Sequence, residues 1–298
     1  MEGLLCKAIA GFYYVMAGGI RYECKARGAL RHTGDTPLVG DRVEIAPTGE
    51  KLGVLERVLE RKNQLCRPAV ANVDKLLIVS SYCTPAPNTL LIDRLCASAV
   101  FHGVEPVVVF NKSDLGDFSE YVRIYQNAGI RTVVASAREN IGMDEIVREI
   151  SGITAVFTGN SGVGKSSLLN RLFPRLELPT GEVSEKLGRG RHTTRQSELF
   201  AHEYGGFVID TPGFAVVQGD SDNLAFKENL IHCFPDLDRF TDSCRFTTCT
   251  HTREKGCGVC EAVTLKKAEK TRHESYTVLF EELKPLKDWH QKGKTVSR

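Results

Sequence analysis

At 298 residues the chain has room for two or three domains, and 42% hydrophobic with 26% charged content is ordinary for a soluble globular protein. No apolar run approaches the about 18 residues of a membrane span, and residues 1–7 lack the apolar core of a secretory signal. A net charge of +2 does not by itself point to nucleic acid, so the local distribution of charge matters more.

Residues 1–65 read as a small all-β domain. A β-rich run covers 8–16, and Gly18-Gly19 supplies a turn. Residues 20–27 then alternate, with Ile20, Tyr22, Cys24 and Ala26 toward a core and Arg21, Glu23, Lys25 and Arg27 toward water. Two further strands are expected near 41–46 and 53–60, separated by the turn Pro47-Thr48-Gly49-Glu50. Short strands with turns at this spacing fit an oligonucleotide-binding (OB) barrel. Arg21, Lys25 and Arg27, with Arg31 in the next loop, are candidate RNA contacts. A solvated strand face explains them equally simply, and charge in this segment is nearly balanced, ten Lys/Arg against eight Asp/Glu.

Residues 61–72 look like a linker, and from Val73 the pattern changes to alternating strands and helices. Strands are expected at 73–81 and 104–110 with a helix at 90–101 between them, the βαβ signature of a parallel sheet covered on both faces. Directly after the second strand comes Asn111-Lys112-Ser113-Asp114, an N-K-x-D motif at the carboxyl end of a sheet strand, where such sheets bind ligands. The residue types suit guanine. The Asp114 carboxylate can accept from the ring N1–H and the exocyclic amine, whereas adenine would leave it unpaired. Lys112 can lay its stem over the ring, and Asn111 can tie this loop to the base or to the phosphate-binding segment. A helix near 121–126 and a strand at 132–135 lead to Ser136-Ala137, which could offer a backbone N–H to the guanine O6. A last helix, 143–150, precedes the strand 153–158.

That strand enters Gly159-Asn160-Ser161-Gly162-Val163-Gly164-Lys165-Ser166-Ser167, and a helical pattern carrying Leu168, Leu169 and Leu172 leaves it. The spacing G-x-x-x-x-G-K-S in a strand–loop–helix context is the phosphate-cradling loop. Its glycines let consecutive N–H groups converge on phosphate oxygens, and the helix N-terminus adds a favourable dipole. Lys165 would reach the β- and γ-phosphates, and Ser166 would place its hydroxyl on Mg²⁺. The basic, glycine-punctuated stretch 181–195 follows. Within it Thr194, or alternatively Thr193, can complete the Mg²⁺ shell. Strands at 197–201 and 207–209 precede Asp210-Thr211-Pro212-Gly213, where a carboxylate can hold Mg²⁺ through water and the Gly213 N–H can sense the γ-phosphate.

A small G domain ordinarily runs phosphate loop, threonine switch, D-x-x-G, N-K-x-D, S-A. Here N-K-S-D and S-A come first. The cycle is the same, cut at another point, which is physically cheap where the original termini lie close together. Residues 66–218 are therefore read as a circularly permuted GTPase domain, and 219–298 as a C-terminal region. In the latter, 223–233 is helix-prone, and Cys244, Cys249, His251 and Cys257 follow with C-x4-C-x-H-x5-C spacing. Three thiolates and one imidazole suit tetrahedral Zn²⁺, and the clustering of four of the ten cysteines in 244–260 favours a metal site over disulfides. Cys260 is an alternative fourth ligand. Such a site would staple a region too poor in apolar residues to fold alone. The tail from Leu265 carries nine Lys/Arg against five Asp/Glu, a basic helical stretch.

With these motifs in view, the whole chain resembles the ribosome small-subunit-dependent GTPase A (RsgA) family. The G-N-S-G-V-G-K-S-S, N-K-S-D, G-R-G-R-H-T-T, D-T-P-G-F and C-x4-C-x-H-x5-C segments match that family in order, and Cys260 is the main departure. The resemblance implies a multidomain protein: an OB-fold barrel, a permuted GTPase domain and a mostly helical zinc domain. It implies GTP hydrolysis to GDP and phosphate stimulated by the small ribosomal subunit, a role in late maturation of that subunit, rRNA contacts, and a cytoplasmic, mainly monomeric protein without membrane attachment. Phe214 stands where many GTPases place a water-orienting glutamine. Phenylalanine cannot do that, so slow intrinsic hydrolysis is expected, with His192 as the candidate within the chain to orient water. A solvent- or RNA-facing His192 is the simpler alternative. The contrasting reading of the whole is an RNA-binding assembly scaffold in which the nucleotide is mainly structural.

Overall fold

Ala10 and Gly11 both adopt positive φ, 49° and 85°, and fold the first β-rich run into a hairpin. In the computed structural model the described residues are 1–28, 36–66, 68–83, 85–174, 197–210 and 227–283. The hairpin joins β1 (Glu2–Ile9) to β2 (Phe12–Ala17), followed by β3 (Ile20–Ala26), β4 (Arg42–Pro47) and β5 (Leu52–Val58). The sequence pattern anticipates one strand over 8–16. The structure instead places a turn inside that run and a strand before it. Ala10 is not a turn-forming residue, and a register shift between Leu5 and Lys7 blurs the alternation of β1.

The barrel closes in the order β1-β2-β3-β5-β4, with β4 returning to β1 and β3 parallel to β5. Its core holds Leu5, Val15, Tyr22, Cys24, Val43, Ile45 and Leu55. Tyr22 and Cys24 point inward as their alternation requires, whereas Ile20, at the strand start, is exposed.

Residues 61–66 and 68–72 are stitched into the body. β6 (Gln64–Leu65) pairs with β7 (Val70–Ala71), and Leu65 and Val70 pack in the same core as Leu76 and Ile78. The fully buried Asp41 takes a bidentate grip from Arg61, at 2.7 and 2.8 Å. Here the linker reading fails: the polar composition is spent on internal hydrogen bonds.

Next come β8 (Lys75–Ser81), α1 (Thr89–Phe101), β9 (Glu105–Asn111), α2 (Ser119–Asn127), β10 (Arg131–Val134), α3 (Met143–Ile150), β11 (Ile153–Thr158), α4 (Lys165–Leu172), β12 (Glu198–Ala201) and β13 (Gly206–Asp210). The order β10-β9-β8-β11-β13 is parallel, and β12 lies antiparallel on β13. Successive residues of β8 serve opposite faces. Leu76 and Ile78 meet Ile92, Leu95 and Tyr125 on one side, and Leu77 and Val79 meet Ile146, Leu168 and Leu169 on the other. Each such fully buried aliphatic side chain contributes about 1.5–3 kcal/mol. The Asn88 side chain caps α1 by accepting the Leu91 N–H at 3.0 Å. The barrel and this sheet are continuous, because β1 runs against β12 with Lys7 paired to Glu198.

The C-terminal region adds α5 (Pro235–Asp238), α6 (Gly258–Thr264) and α7 (Lys270–Leu283). Its apolar residues are few but concentrated. Leu230, Phe234, Leu237, Val259, Tyr276, Leu279 and Leu283 form a core that includes Ala97 from the outer face of α1. Arg272 of α7, 1% exposed, meets Asp93 of α1 at 2.7 Å and Asp236 of α5 at 2.8 Å. Its guanidinium also lies 4.6 Å from the Phe234 ring centre. The region is thus fixed to the sheet by a shared core and a buried ion triad as well as by any staple at its cysteines. No helix among the described residues is long and apolar enough to cross a membrane.

Candidate nucleotide pocket and metal centre

Strand β8 has β9 on one side and β11 on the other, and the chain reverses direction of travel across the sheet here. Ligands in open α/β sheets bind at such a switch point, beyond the carboxyl ends of the strands. The N-K-S-D segment follows β9 and the glycine-rich loop follows β11, so the two motifs face each other across the end of β8.

Two glycines make the phosphate loop possible. Gly159 has φ 139° and an added Cβ would lie 2.2 Å from the Val79 carbonyl oxygen. Gly164 has φ 93° and an added Cβ would lie 2.3 Å from Asn111 Nδ2. Lys165 is buried and curls back over the loop, its Nζ donating to the carbonyls of Gly159 at 2.7 Å and Asn160 at 2.8 Å. Ser166 and Ser167 follow in the first turn of α4, so Ser166 could hold Mg²⁺ beside the phosphates.

The base loop is laced to this loop. Asn111 donates from Nδ2 to the Val163 carbonyl at 2.9 Å, and Lys112 donates from Nζ to the Gly162 carbonyl at 2.8 Å. Of the two ties open to Asn111 in the sequence, the one observed goes to the phosphate loop. Asp114 is exposed in a 3₁₀ turn over Ser113–Leu115, and its Oδ1 accepts the Ser136 hydroxyl at 2.6 Å. That bond orients the carboxylate, a role for Ser136 that the S-A motif alone did not reveal. The Ala137 N–H donates to Asn111 Oδ1 at 3.3 Å. Asp210 ends β13, with its backbone in register with Phe157 of β11, beside the start of the phosphate loop. Gly213, Phe214, His192, Thr193, Thr194 and Arg31 lie outside the described residues.

The second cluster builds from residues 244–257. Sγ of Cys244, Cys249 and Cys257 and a ring nitrogen of His251 lie within 4.8 Å of one another. Cys244 Sγ is 3.3 Å from His251 Nδ1 and 3.9 Å from Cys257 Sγ, and Cys257 Sγ is 3.8 Å from His251 Nδ1. A tetrahedral ion with sulfur ligands at ~2.3 Å needs edges of about 3.8 Å, close to the edges among Cys244, His251 and Cys257, so the donor set suits Zn²⁺. The electrostatics agree. Burial pushes the Cys249 thiol up to about 12 and the Cys257 thiol up to about 11, with neighbouring thiols adding to the Cys249 shift. Three thiolates coexist at such a site only around a cation. Burial also lowers the His251 pKa, favouring the neutral imidazole that ligates. The backbone N–H of Gly258 donates to Cys244 Sγ at 3.3 Å and that of Cys260 to Cys257 Sγ at 3.4 Å. Cys260 Sγ stands outside the four, 3.9 Å from the His251 carbonyl oxygen.

Glu254 shapes this loop and carried no sequence motif. Its carboxylate accepts the backbone N–H of Thr250 at 2.8 Å, Thr252 at 3.0 Å and Arg253 at 3.1 Å, and the Thr250 hydroxyl. Burial raises its pKa, but these donors overcome that and leave it at about 2.

On the barrel, Arg21 and Lys25 are exposed on one face of β3, and Arg27, directly after the strand, is exposed too. Arg21 lies 5.0 Å from the Tyr14 ring centre and Lys25 lies 5.3 Å from that of Phe12, both rings on the neighbouring β2. Arg21 is also 3.4 Å from Glu198, and Arg27 is 3.7 Å from Glu56.

Comparison with known proteins agrees with this architecture. Residues 58–219 match the RsgA GTPase family and residues 2–55 the RsgA N-terminal domain. A protein named small ribosomal subunit biogenesis GTPase RsgA from Alkaliphilus metalliredigens (strain QYMF) is 42% identical over 288 residues, covering 95% of this chain and 98% of that relative. The equally named protein from Caldanaerobacter subterraneus subsp. tengcongensis (strain DSM 15242 / JCM 11007 / NBRC 100824 / MB4) is 41% identical over 95% of this chain and 96% of its own length. Among solved structures, YjeQ from Thermotoga maritima superposes with a TM-score of 0.79 at 34% identity, covering 96% of this chain and 99% of its own. YloQ, a circularly permuted GTPase, superposes with 0.75 at 32% identity over 96% of each chain.

Proposed function

The chain belongs to the RsgA GTPase family, and from that premise we propose that it acts on the small ribosomal subunit, with GTP hydrolysis marking a late step of that subunit's maturation. It is a GTP hydrolase, and the curated relatives carry subunit biogenesis in their names. The observation that carries the reading is the lacing of base loop to phosphate loop by Asn111 and Lys112. One bound nucleotide then spans both loops, so guanine recognition and phosphate position are felt together.

Asp114, held by Ser136, selects guanine. Lys165 and the N–H groups of 159–167 take the β- and γ-phosphates. Ser166 and Thr194 hold Mg²⁺, which neutralises developing phosphate charge, while Asp210 and Gly213 report the γ-phosphate. His192 orients the attacking water where Phe214 cannot, and the ribosome completes the arrangement, so turnover rises on the subunit. The Cys244, Cys249, His251 and Cys257 set holds one structural Zn²⁺. The face bearing Arg21, Lys25 and Arg27, interleaved with Phe12 and Tyr14, contacts rRNA, together with Arg31; basic and aromatic groups in alternation suit a stacked, charged strand. The protein works as a cytoplasmic monomer.

Because 227–283 follow the γ-phosphate sensor along the chain and pack on α1, loss of the γ-phosphate reaches a second surface by a short path. GTP is therefore expected to favour subunit binding and GDP to favour release. Co-sedimentation with small subunits in a non-hydrolysable GTP analogue and in GDP, with turnover measured in parallel, tests this. Equal affinity in both states, or turnover indifferent to subunits, would leave an RNA-binding scaffold instead.

A further inference from the structure

The metal segment holds one thiol more than the metal needs. Cys257-Gly258-Val259-Cys260 is a C-x-x-C pair. Cys257 is 2% exposed and lies among the four converging donors, whereas Cys260 is half-buried and lies outside them. The two are nevertheless in contact: the Cys260 N–H donates to Cys257 Sγ at 3.4 Å.

We propose that Cys260 is an oxidation site that controls the metal: peroxide converts it to a sulfenic acid, Cys257 closes a disulfide onto it, and the ion is released. The inference rests on the metal reading of the Cys₃His cluster. Ligated thiolates share an electron pair with the ion, while Cys260, outside the four donors and only half-buried, keeps both of its own and is the thiol of this segment left to react while the ion is held. In the first step the Cys260 sulfur attacks one peroxide oxygen. The O–O bond breaks, one water leaves with the thiol proton, and sulfur is oxidised by two electrons. In the second, Cys257 sulfur attacks Cys260 sulfur. The S–O bond breaks, hydroxide leaves and takes up a proton from solvent, and the S–S bond forms. Peroxide has been reduced to two waters and zinc stays divalent.

Geometry supplies the coupling. Residues three apart at a helix start have Cβ atoms about 5–6 Å apart, and a disulfide needs about 3.8 Å. Closing that gap draws Cys257 Sγ toward Cys260 and spends its ligating lone pair. Cys244, Cys249 and His251 alone make a weaker, open site.

The full-length zinc-loaded protein, treated with hydrogen peroxide, tests this by zinc release to a chromogenic chelator and by tryptic mass mapping. Trypsin separates the relevant cysteines, because Arg245, Arg253 and Lys255 fall between Cys244, Cys249 and the pair. The wild-type chain should release its zinc and yield the peptide 256–266 lighter by two hydrogens, with reductant and added zinc reversing both. Cys260→Ser, outside the ligand set, should bind zinc as before and release it roughly tenfold more slowly. Equal release rates for wild type and Cys260→Ser, or a disulfide joining Cys244 to Cys249 instead, overturns the proposal. A reduced wild-type protein without zinc overturns the metal reading and this proposal with it, whereas zinc present without the 257–260 disulfide overturns this proposal alone.

Discussion

Asn111 Nδ2 donates to the Val163 carbonyl at 2.9 Å, buried between two loops 52 residues apart in the chain. The side chain that opens the base-recognition motif therefore holds the phosphate loop in shape. Replacing Asn111 by Ala leaves that carbonyl without its donor at a cost of about 1–2 kcal/mol. We expect GTP and GDP affinity to fall together by about tenfold, with the thermal midpoint lowered by a few degrees. Titration with a fluorescent guanine nucleotide measures this, and a loss confined to GTP would contradict it.

The Ser136 hydroxyl aims Asp114, at 2.6 Å. Asp114→Asn should lower GTP affinity by roughly a hundredfold and transfer preference to xanthine nucleotides, since the site's polar pairing is inverted. Ser136→Ala should weaken GTP binding severalfold without changing the preferred base. Competition among guanine, xanthine and adenine triphosphates separates the two effects.

His192→Ala should leave nucleotide affinity unchanged and reduce subunit-stimulated turnover by a factor of about 10²–10⁴, the range for loss of a proton-handling or water-orienting group. Turnover with saturating small subunits is the measurement. Unchanged stimulated turnover removes His192 from the mechanism.

Arg272 is charged and buried between Asp93 and Asp236. Burial alone would lower its pKa, and the two carboxylates raise it instead. Arg272→Met strands both carboxylates and should destabilise the protein by about 3–5 kcal/mol in urea unfolding. Adding Asp93→Asn and Asp236→Asn should recover part of the loss.

Glu254 is held at about 2, well below its ordinary 4.5. A depressed carboxylate contributes stability that is fully present above the unfolded pKa and is lost as pH falls toward the folded one. The thermal midpoint of the wild type should therefore exceed that of Glu254→Gln at pH 6 to 7, and the gap should narrow steadily from about pH 4.5 downward. A gap independent of pH would assign Glu254 a packing role.

What the sequence by itself determined is what spacing can carry. The phosphate loop between strand and helix, the N-K-S-D turn after a buried strand, the permuted motif order and the Cys₃His character of the metal cluster are each local patterns. Their geometry follows from the few residues involved. The Ala10-Gly11 hairpin and the stitched residues 61–66 and 68–72 were not legible, because their cues are a weak turn pair and polar side chains that bond inward. Only the tertiary structure decided which distant groups meet. Arg272 finds Asp93 across 179 residues, Asn111 finds Val163, and Cys260 is left beside the cluster while Cys257 enters it. Such pairings have no period in the chain. They are fixed when sheet order and core packing bring the elements together, and burial then forces each polar group to find its partner.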